Sequence, residues 1–296
     1  SPWNYPMYLA LSPLAAAVAA GNRVMLKPSE LTPRSSALLA NMIAETFDPA
    51  EICVVTGGPE LGEAFSRLKF DHLLFTGSTS IGRRVAQAAA ENLTPVTLEL
   101  GGKSPAIIAG DYPLDRAVQS IMSGKLLNAG QTCIAPDYVF VPRARQQDFV
   151  DKAQKFAATI YPTLAANPDY TSIVSDRHFQ RLQRLTEEAR AAGVKVIELN
   201  PTAESLGNQR KIAPTLLLDP GDELAVMREE IFGPLLPVKA YDDINETIDY
   251  VNRHDRPLAL YLFSNDHTMV DRMLSRTVWK VTGWPCDSSN TLPDIS

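Results

Sequence analysis

Cys133 closes the segment Asn128-Ala129-Gly130-Gln131-Thr132-Cys133, just past a Gly-Gln turn. That position puts a thiol in a loop and not inside a strand. A thiolate is a strong nucleophile, and a carbonyl carbon is its natural target. The competing reading is a small buried hydrophobe, the usual fate of a single cysteine. Cys53, inside Glu51-Ile52-Cys53-Val54-Val55, fits that second reading and is assigned to a core; Cys286 takes no role. Glu99 lies in the apolar run Leu98-Glu99-Leu100-Gly101-Gly102-Lys103. Buried there, it would be desolvated, its pKa raised, and it could act as a general base near neutral pH. A strand-end glutamate facing solvent is the equal alternative. Asn4, in Pro2-Trp3-Asn4-Tyr5-Pro6, is held by prolines and aromatics. A fixed side-chain amide makes a good oxyanion donor, and an ordinary turn asparagine is the alternative.

Two further segments have the chemistry of nucleotide contacts. Phe75-Thr76-Gly77-Ser78-Thr79-Ser80-Ile81-Gly82 follows a strand and enters a helix. Its glycines would let backbone approach a phosphate, and the helix start offers unpaired N–H groups. The spacing matches neither of the standard glycine-rich phosphate loops, so an ordinary strand–helix turn stands beside that reading. Lys27-Pro28-Ser29-Glu30 follows another strand. Strand carboxyl ends are where open α/β sheets bind ligands. Glu30 could accept both hydroxyls of a ribose and Lys27 could donate to the same group; a solvated surface pair is the alternative.

The elements that must hold these residues alternate. Helices are expected over 13–20, 33–47, 59 onward and 81–91, and strands over 23–26, 51–56, 71–76, 96–100 and 105–109, with Ser12-Pro13 as the first helix start and Gly21 as its stop. Beyond Gly101-Gly102, a candidate domain junction, helices are expected over 114–128, 146–160, 175–192, 244–252 and 267–275. Strands are expected over 138–141, 194–198, 235–240 and 260–263. Strand–helix alternation predicts α/β architecture with parallel, doubly wound sheets.

Composition bounds the function. The chain has 296 residues, a formal charge of -6 and 45% hydrophobic residues, enough for about two domains with buried cores. The acidic balance argues against nucleic acid or an anionic membrane as partner. Three scattered cysteines and four separated histidines give neither a disulfide framework nor a metal site, and point to a reducing, cytoplasmic setting. The apolar stretch 7–21 is too short to span a bilayer.

Taken in order, Pro2-Trp3-Asn4-Tyr5-Pro6, Lys27-Pro28-Ser29-Glu30, Phe75-Thr76-Gly77-Ser78-Thr79, Glu99-Leu100-Gly101-Gly102-Lys103-Ser104-Pro105, Gly130-Gln131-Thr132-Cys133 and Glu230-Ile231-Phe232-Gly233-Pro234 resemble the aldehyde dehydrogenase superfamily, from Pro2 to about Thr277. The stretch from Phe75 to Ile108 is most similar to the branch of coniferyl aldehyde dehydrogenases and class 3-like enzymes. The resemblance implies a partial Rossmann-type cofactor domain (1–101), an α/β catalytic domain (102–277) and a foreign-looking tail (278–296), in a chain truncated at both ends. It implies NAD(P)-dependent oxidation of an aldehyde to the carboxylic acid through a cysteine thiohemiacetal and thioester. Cys133 would be the nucleophile, Glu99 the base and Asn4 the oxyanion donor. Lys27 and Glu30 would contact the adenosine ribose. Gly77, Ser78 and Gly82 would lie near the pyrophosphate. Glu230 would hold the nicotinamide ribose, with Phe232 beside it. Glu30 favours NAD over NADP without excluding NADP, and full-length relatives imply a homodimer or homotetramer. An inactive fragment that keeps the motifs is the alternative.

Overall fold

The computed structural model describes residues 1–206, 209–277 and 281–283. The chain divides into two compact units, Ser1–Gly101 and Gly102–Ser296.

The first unit runs α1 (Tyr8–Ala19), β1 (Val24–Leu26), α2 (Pro33–Thr46), β2 (Ile52–Val54), α3 (Pro59–Ser66), β3 (Leu73–Gly77), α4 (Thr79–Ala90) and β4 (Val96–Leu100). The strands form two parallel pairs, β1 with β2 and β3 with β4. Parallel pairing needs a crossover, and a helix supplies each one. The first helix departs from expectation. It starts at Tyr8, so Pro13 lies inside it and Ser12 is not its cap. An interior proline removes a helix bond and costs about 3 kcal/mol. Burial of Ala10 and Leu14 against Leu39, Ile43 and Ile52 requires helix on both sides of Pro13 and outweighs that loss. Cys53 is half-buried and lies outside this core, contrary to its assignment.

The second unit runs β5 (Pro105–Ile108), α5 (Leu114–Leu126), β6 (Tyr138–Pro142), α6 (Gln146–Ile160), α7 (Asp176–Ala191), β7 (Lys195–Glu198), β8 (Thr215–Leu218), α8 (Ala225–Arg228), β9 (Leu235–Tyr241), α9 (Ile244–Arg253), β10 (Ala259–Phe263), α10 (His267–Arg276) and β11 (Val281–Gly283). Its seven strands lie in the order β11-β10-β5-β6-β9-β8-β7. All neighbours are parallel except β7 and β8. Alternate residues sort to the two faces. Ala106, Ile108, Val139, Val141, Leu236 and Val238 meet α5 and α6. Ile107, Phe140, Leu217, Leu235 and Leu262 meet α7, α9 and α10. Both faces are apolar because helices cover both. Ser175, Asp243 and Asp266 cap α7, α9 and α10 with side-chain bonds to backbone N–H groups, each worth about 1 kcal/mol.

The strand at Val281–Gly283 falls within the stretch expected to be foreign from residue 278; it joins the sheet edge beside β10. Residues 278–280 and 284–296, including Cys286, lie outside the described residues. Among the described residues no helix is long and apolar enough to cross a membrane. Nor do they contain a His/Cys/Asp/Glu group of three or more that could hold a metal ion.

Candidate active site

Cys133 lies in the loop between α5 and β6 and is half-buried. The loop opens with a short 3-10 turn, Leu127–Gly130, whose last three residues all have positive φ: Asn128 at 51°, Ala129 at 51° and Gly130 at 73°. A side chain at Gly130 would meet backbone as well as its own strain. Its Cβ would stand 2.2 Å from the carbonyl oxygen of Gly233. Gly130 is therefore where the cysteine turn touches the Glu230-Ile231-Phe232-Gly233-Pro234 turn. Gly233 is tight in its own right, since a Cβ there would stand 2.5 Å from Leu182 of α7.

Gln131, buried, ties the turn down. Its amide N–H₂ donates to the Asn128 carbonyl at 3.0 Å and to the Ser172 carbonyl at 3.1 Å. Its Oε1 accepts the Val174 N–H at 3.0 Å. On the other side of Cys133, the Tyr261 hydroxyl of β10 donates to the Ile134 carbonyl at 2.6 Å. Burial, and then the neighbouring Cys133, push the Tyr261 hydroxyl up to about 12. Gln131, two residues before Cys133, and Ile134, the residue after it, are thus each anchored to distant chain.

The Glu230 turn is fixed from below by charge. The Lys103 ammonium pairs with Asp137 and donates to the Val226 carbonyl at 2.8 Å and the Glu229 carbonyl at 3.0 Å. Asp137 also accepts the Ile231 N–H at 2.9 Å. Arg181 of α7 donates to the carbonyls of Glu230, at 3.1 Å, and Ile231. Phe232, next to Ile231 in this clamped turn, sits at φ 48°, a left-handed conformation. Sequence reasoning missed Lys103, Asp137 and Arg181 as supports. Asp137→Ala would leave the Lys103 charge with no anion, at 4% exposure of the lost partner. We expect a loss of about 3–5 kcal/mol, read as a lower midpoint in urea unfolding. An unchanged midpoint would remove Asp137 from this account.

Glu230 itself is largely buried. Its carboxylate accepts the Gly102 backbone N–H, while Oε1 is buried with no hydrogen-bond partner. Burial, and then repulsion from Asp137, push its carboxyl up to about 7. Lys125 is the other buried charge. It is 1% exposed, and its ammonium has no hydrogen-bond partner. Burial lowers it to about 8, with Asp137 and Glu230 pulling the other way and Lys103 adding to the drop.

The first unit holds the other expected residues. Asn4 is half-buried in the bend before α1. Lys27 follows β1 directly, and its ammonium donates to Glu30 at 2.8 Å. Burial pushes the Glu30 carboxyl up, but the Lys27 bond, its own backbone bond and nearby positive charge hold it below the usual range. Ser29 is fixed beneath them by the Ser36 hydroxyl, which donates to its carbonyl at 2.8 Å. Gly77 ends β3, Ser78 precedes the first residue of α4, and Gly82 lies in the first turns of that helix. Gly82 serves helix–strand contact, because a Cβ there would stand 2.7 Å from Leu100 of β4. Glu99 lies opposite Thr76 on the neighbouring strand. It is exposed within this unit's strand pattern, which favours the solvent-facing reading over desolvation by the apolar run. In Val96-Thr97-Leu98-Glu99-Leu100, Thr97 and Glu99 share a strand face and the apolar residues take the other.

Residues 1–282 match the sequence pattern of the aldehyde dehydrogenase family. The chain belongs to the aldehyde dehydrogenase family. Among its relatives, a probable coniferyl aldehyde dehydrogenase from Caulobacter vibrioides is 54% identical over 279 residues, 94% of this chain and 58% of that protein. Aldehyde dehydrogenase family 3 member A2 from Rattus norvegicus is 42% identical, over 93% of this chain and 55% of that protein. The crystal structure of an aldehyde dehydrogenase C variant from Pseudomonas syringae, with NAD+ and octanal, superposes with a TM-score of 0.88 at 32% identity, covering 98% of this chain and 61% of that one. This aldehyde dehydrogenase family chain thus spans a little over half the length of its relatives. The family match continues past Thr277, to residue 282, five residues into the stretch expected to be unmatched.

Proposed function

We propose that the protein oxidises an aldehyde to the carboxylic acid with NAD, through a thioester on Cys133. The observation that supports it most is the turn that presents Cys133. Glycine at 130, strained backbone at 128–129 and the Gln131 anchors build a rigid mount for one side chain, which a mere core cysteine does not need.

The cofactor fits the residues present. Glu230 offers a buried carboxylate oxygen with an open acceptor, the group that a ribose hydroxyl requires. Lys27 and Glu30 offer a donor and an acceptor side by side for a second ribose. A carboxylate at Glu30 would repel a 2′-phosphate, which favours NAD over NADP. Gly77, Ser78 and Gly82 are assigned to the pyrophosphate end and Phe232 to the nicotinamide end. Bound NAD supplies the two-electron acceptor for the oxidation.

The chain's own residues do the rest. The Cys133 thiolate attacks the carbonyl carbon and forms the C–S bond of a thiohemiacetal. The Asn4 amide and the Cys133 backbone N–H donate to the resulting oxyanion. Oxidation leaves a thioester. Glu99 takes a proton from water, which adds to the thioester carbon, and the acid leaves as Cys133 regains its thiolate. The name carried by the Caulobacter relative motivates coniferyl aldehyde or another aromatic aldehyde as substrate, with medium-chain or long-chain aliphatic aldehydes second. The chain's span of 58% of that relative motivates a competing reading, in which the motifs persist without turnover.

The deciding assay follows absorbance of reduced cofactor with purified protein, NAD and a panel of aromatic and aliphatic aldehydes. Folded protein that gives no signal with any of them sinks the catalytic reading. Glu99→Gln tests the base. One equivalent of reduced cofactor should still appear rapidly, while steady turnover falls by roughly 10²–10⁴-fold. Turnover equal to the unmodified protein would remove Glu99 from the mechanism.

A further inference from the structure

Helix α5 buries Leu114, Ala117, Val118, Ile121 and Met122 on one stripe, and the next position on that stripe is Lys125. A charged residue on an apolar stripe is expensive unless something repays it. Nothing does so by hydrogen bonding, since the ammonium is buried and makes no such bond. Three charged groups act on it, Lys103 ahead of β5, Asp137 ahead of β6 and Glu230 in the turn before β9, and Arg181 on α7 acts in turn on Glu230. Tyr138, beside Asp137, is pushed well above its usual range by burial and stays neutral.

The hydrogen bonds decide which of these Lys125 serves. Asp137 is committed, with one oxygen on Lys103 and the other on the Ile231 N–H. Lys103 has all three donors placed, on Asp137 and two carbonyls. Arg181 is directed at the Glu230 and Ile231 carbonyls. Of the three cations that act on this cluster, Lys125 is the one whose donors are uncommitted, and Glu230 Oε1 is the one buried acceptor in the cluster left over. These two groups carry opposite charge, and Glu230 acts on Lys125, while Arg181 and Lys103 act on Glu230 with their donors already placed on carbonyls and Asp137.

We propose that Lys125 is a positioning residue for the cofactor site: its buried ammonium adds to Arg181 and Lys103 the uncommitted positive charge that favours an ionised Glu230 carboxylate, ready to accept ribose hydroxyls. The proposal rests on the reading of Glu230 as the ribose-binding carboxylate, and its test separates the two. A methionine at 125 keeps the length of the side chain, suits the apolar stripe and removes the charge.

The experiment is calorimetric titration of NAD into purified protein at a series of pH values, with thermal unfolding of the NAD-free protein over the same range. In the unmodified protein, affinity for NAD should rise with pH through about 7, as Glu230 ionises. In Lys125→Met the midpoint should move up by about one pH unit and Kd at pH 7 should rise about tenfold. Lys125→Gln, which keeps a donor and loses the charge, should behave like the methionine variant. Stability supplies the second reading. A lysine lowered to about 8 when folded, against 10.5 when unfolded, binds fewer protons in the fold between those values, so stability rises with pH across that window. Lys125→Met should lose that rise and unfold at a higher temperature than the unmodified protein at pH 7. Wild-type Kd and midpoint in both the methionine and the glutamine variants would overturn the proposal. If Glu230→Gln binds NAD with unchanged affinity and unchanged pH dependence, the Glu230 reading fails instead.

Discussion

Cys133→Ala is expected to abolish the proposed aldehyde oxidation, with kcat reduced by at least ~10⁴-fold, because the proposed thioester forms on its sulfur. The loss should be chemical and not structural. Cys133 is half-buried, and its turn is anchored through Gly130, the Gln131 side chain and the carbonyl of Ile134. The variant should therefore unfold at the temperature of the unmodified protein. Labelling with iodoacetamide, followed by peptide mass analysis, gives an independent reading. Residual activity above a few per cent, or a large drop in unfolding temperature, would show that Cys133 acts in the core and not on the substrate.

Gly130→Ala carries the second large effect, this time on stability. A left-handed φ of 73° costs an L-residue about 1–2 kcal/mol. The new methyl group would also meet the Gly233 carbonyl, and backbone cannot swing aside as a side chain can. The total should exceed about 3 kcal/mol, and the unfolding temperature should fall by roughly 6–12 °C. Gly193→Ala is the control. It shares the left-handed φ, at 81°, with nothing within 4 Å of the new methyl. It should show the conformational cost alone, about 1 kcal/mol. Equal shifts for the two variants would mean that the contact with Gly233 is not what makes Gly130 necessary.

The sequence revealed the fold class and most of the elements, because strand–helix alternation carries them in local pattern. Ser175 and Gly193 bracket α7 as expected from capping chemistry. The failures have physical causes. Pro13 reads as a helix start by local rules, yet packing of Ala10 and Leu14 extends the helix through it. Strand β8, an unflagged run of Thr215-Leu216-Leu217-Leu218, is recognisable only through its neighbours β7 and β9. Of the site, the motif order brought out Cys133, Glu230 and Phe232, and the structure joins their two turns at Gly130. The supports were hidden. Asp137, Lys103 and Arg181 form a cluster from distant segments that no local spacing betrays. Lys125 was readable in principle, since it continues the 114, 117, 118, 121, 122 stripe of α5, where a solvated lysine does not belong. Glu99 shows the reverse: its neighbours are apolar, but strand alternation turns it away from them.

The meeting of Gly130 and Gly233 also governs the order in which the molecule becomes itself. The two glycines are roughly a hundred residues apart in the chain. Between them run β6, β7 and β8, and the two turns lie next to the strands β6 and β9, which pair at the centre of the sheet. Contacts of such long separation form late, after the loop-closure entropy has been met. On a ribosome, the segment bearing Cys133 emerges well before the one that shapes its turn. The Cys133 turn therefore spends the early life of the chain without its partner at Gly233, and gains that support only when the later segment has folded against it.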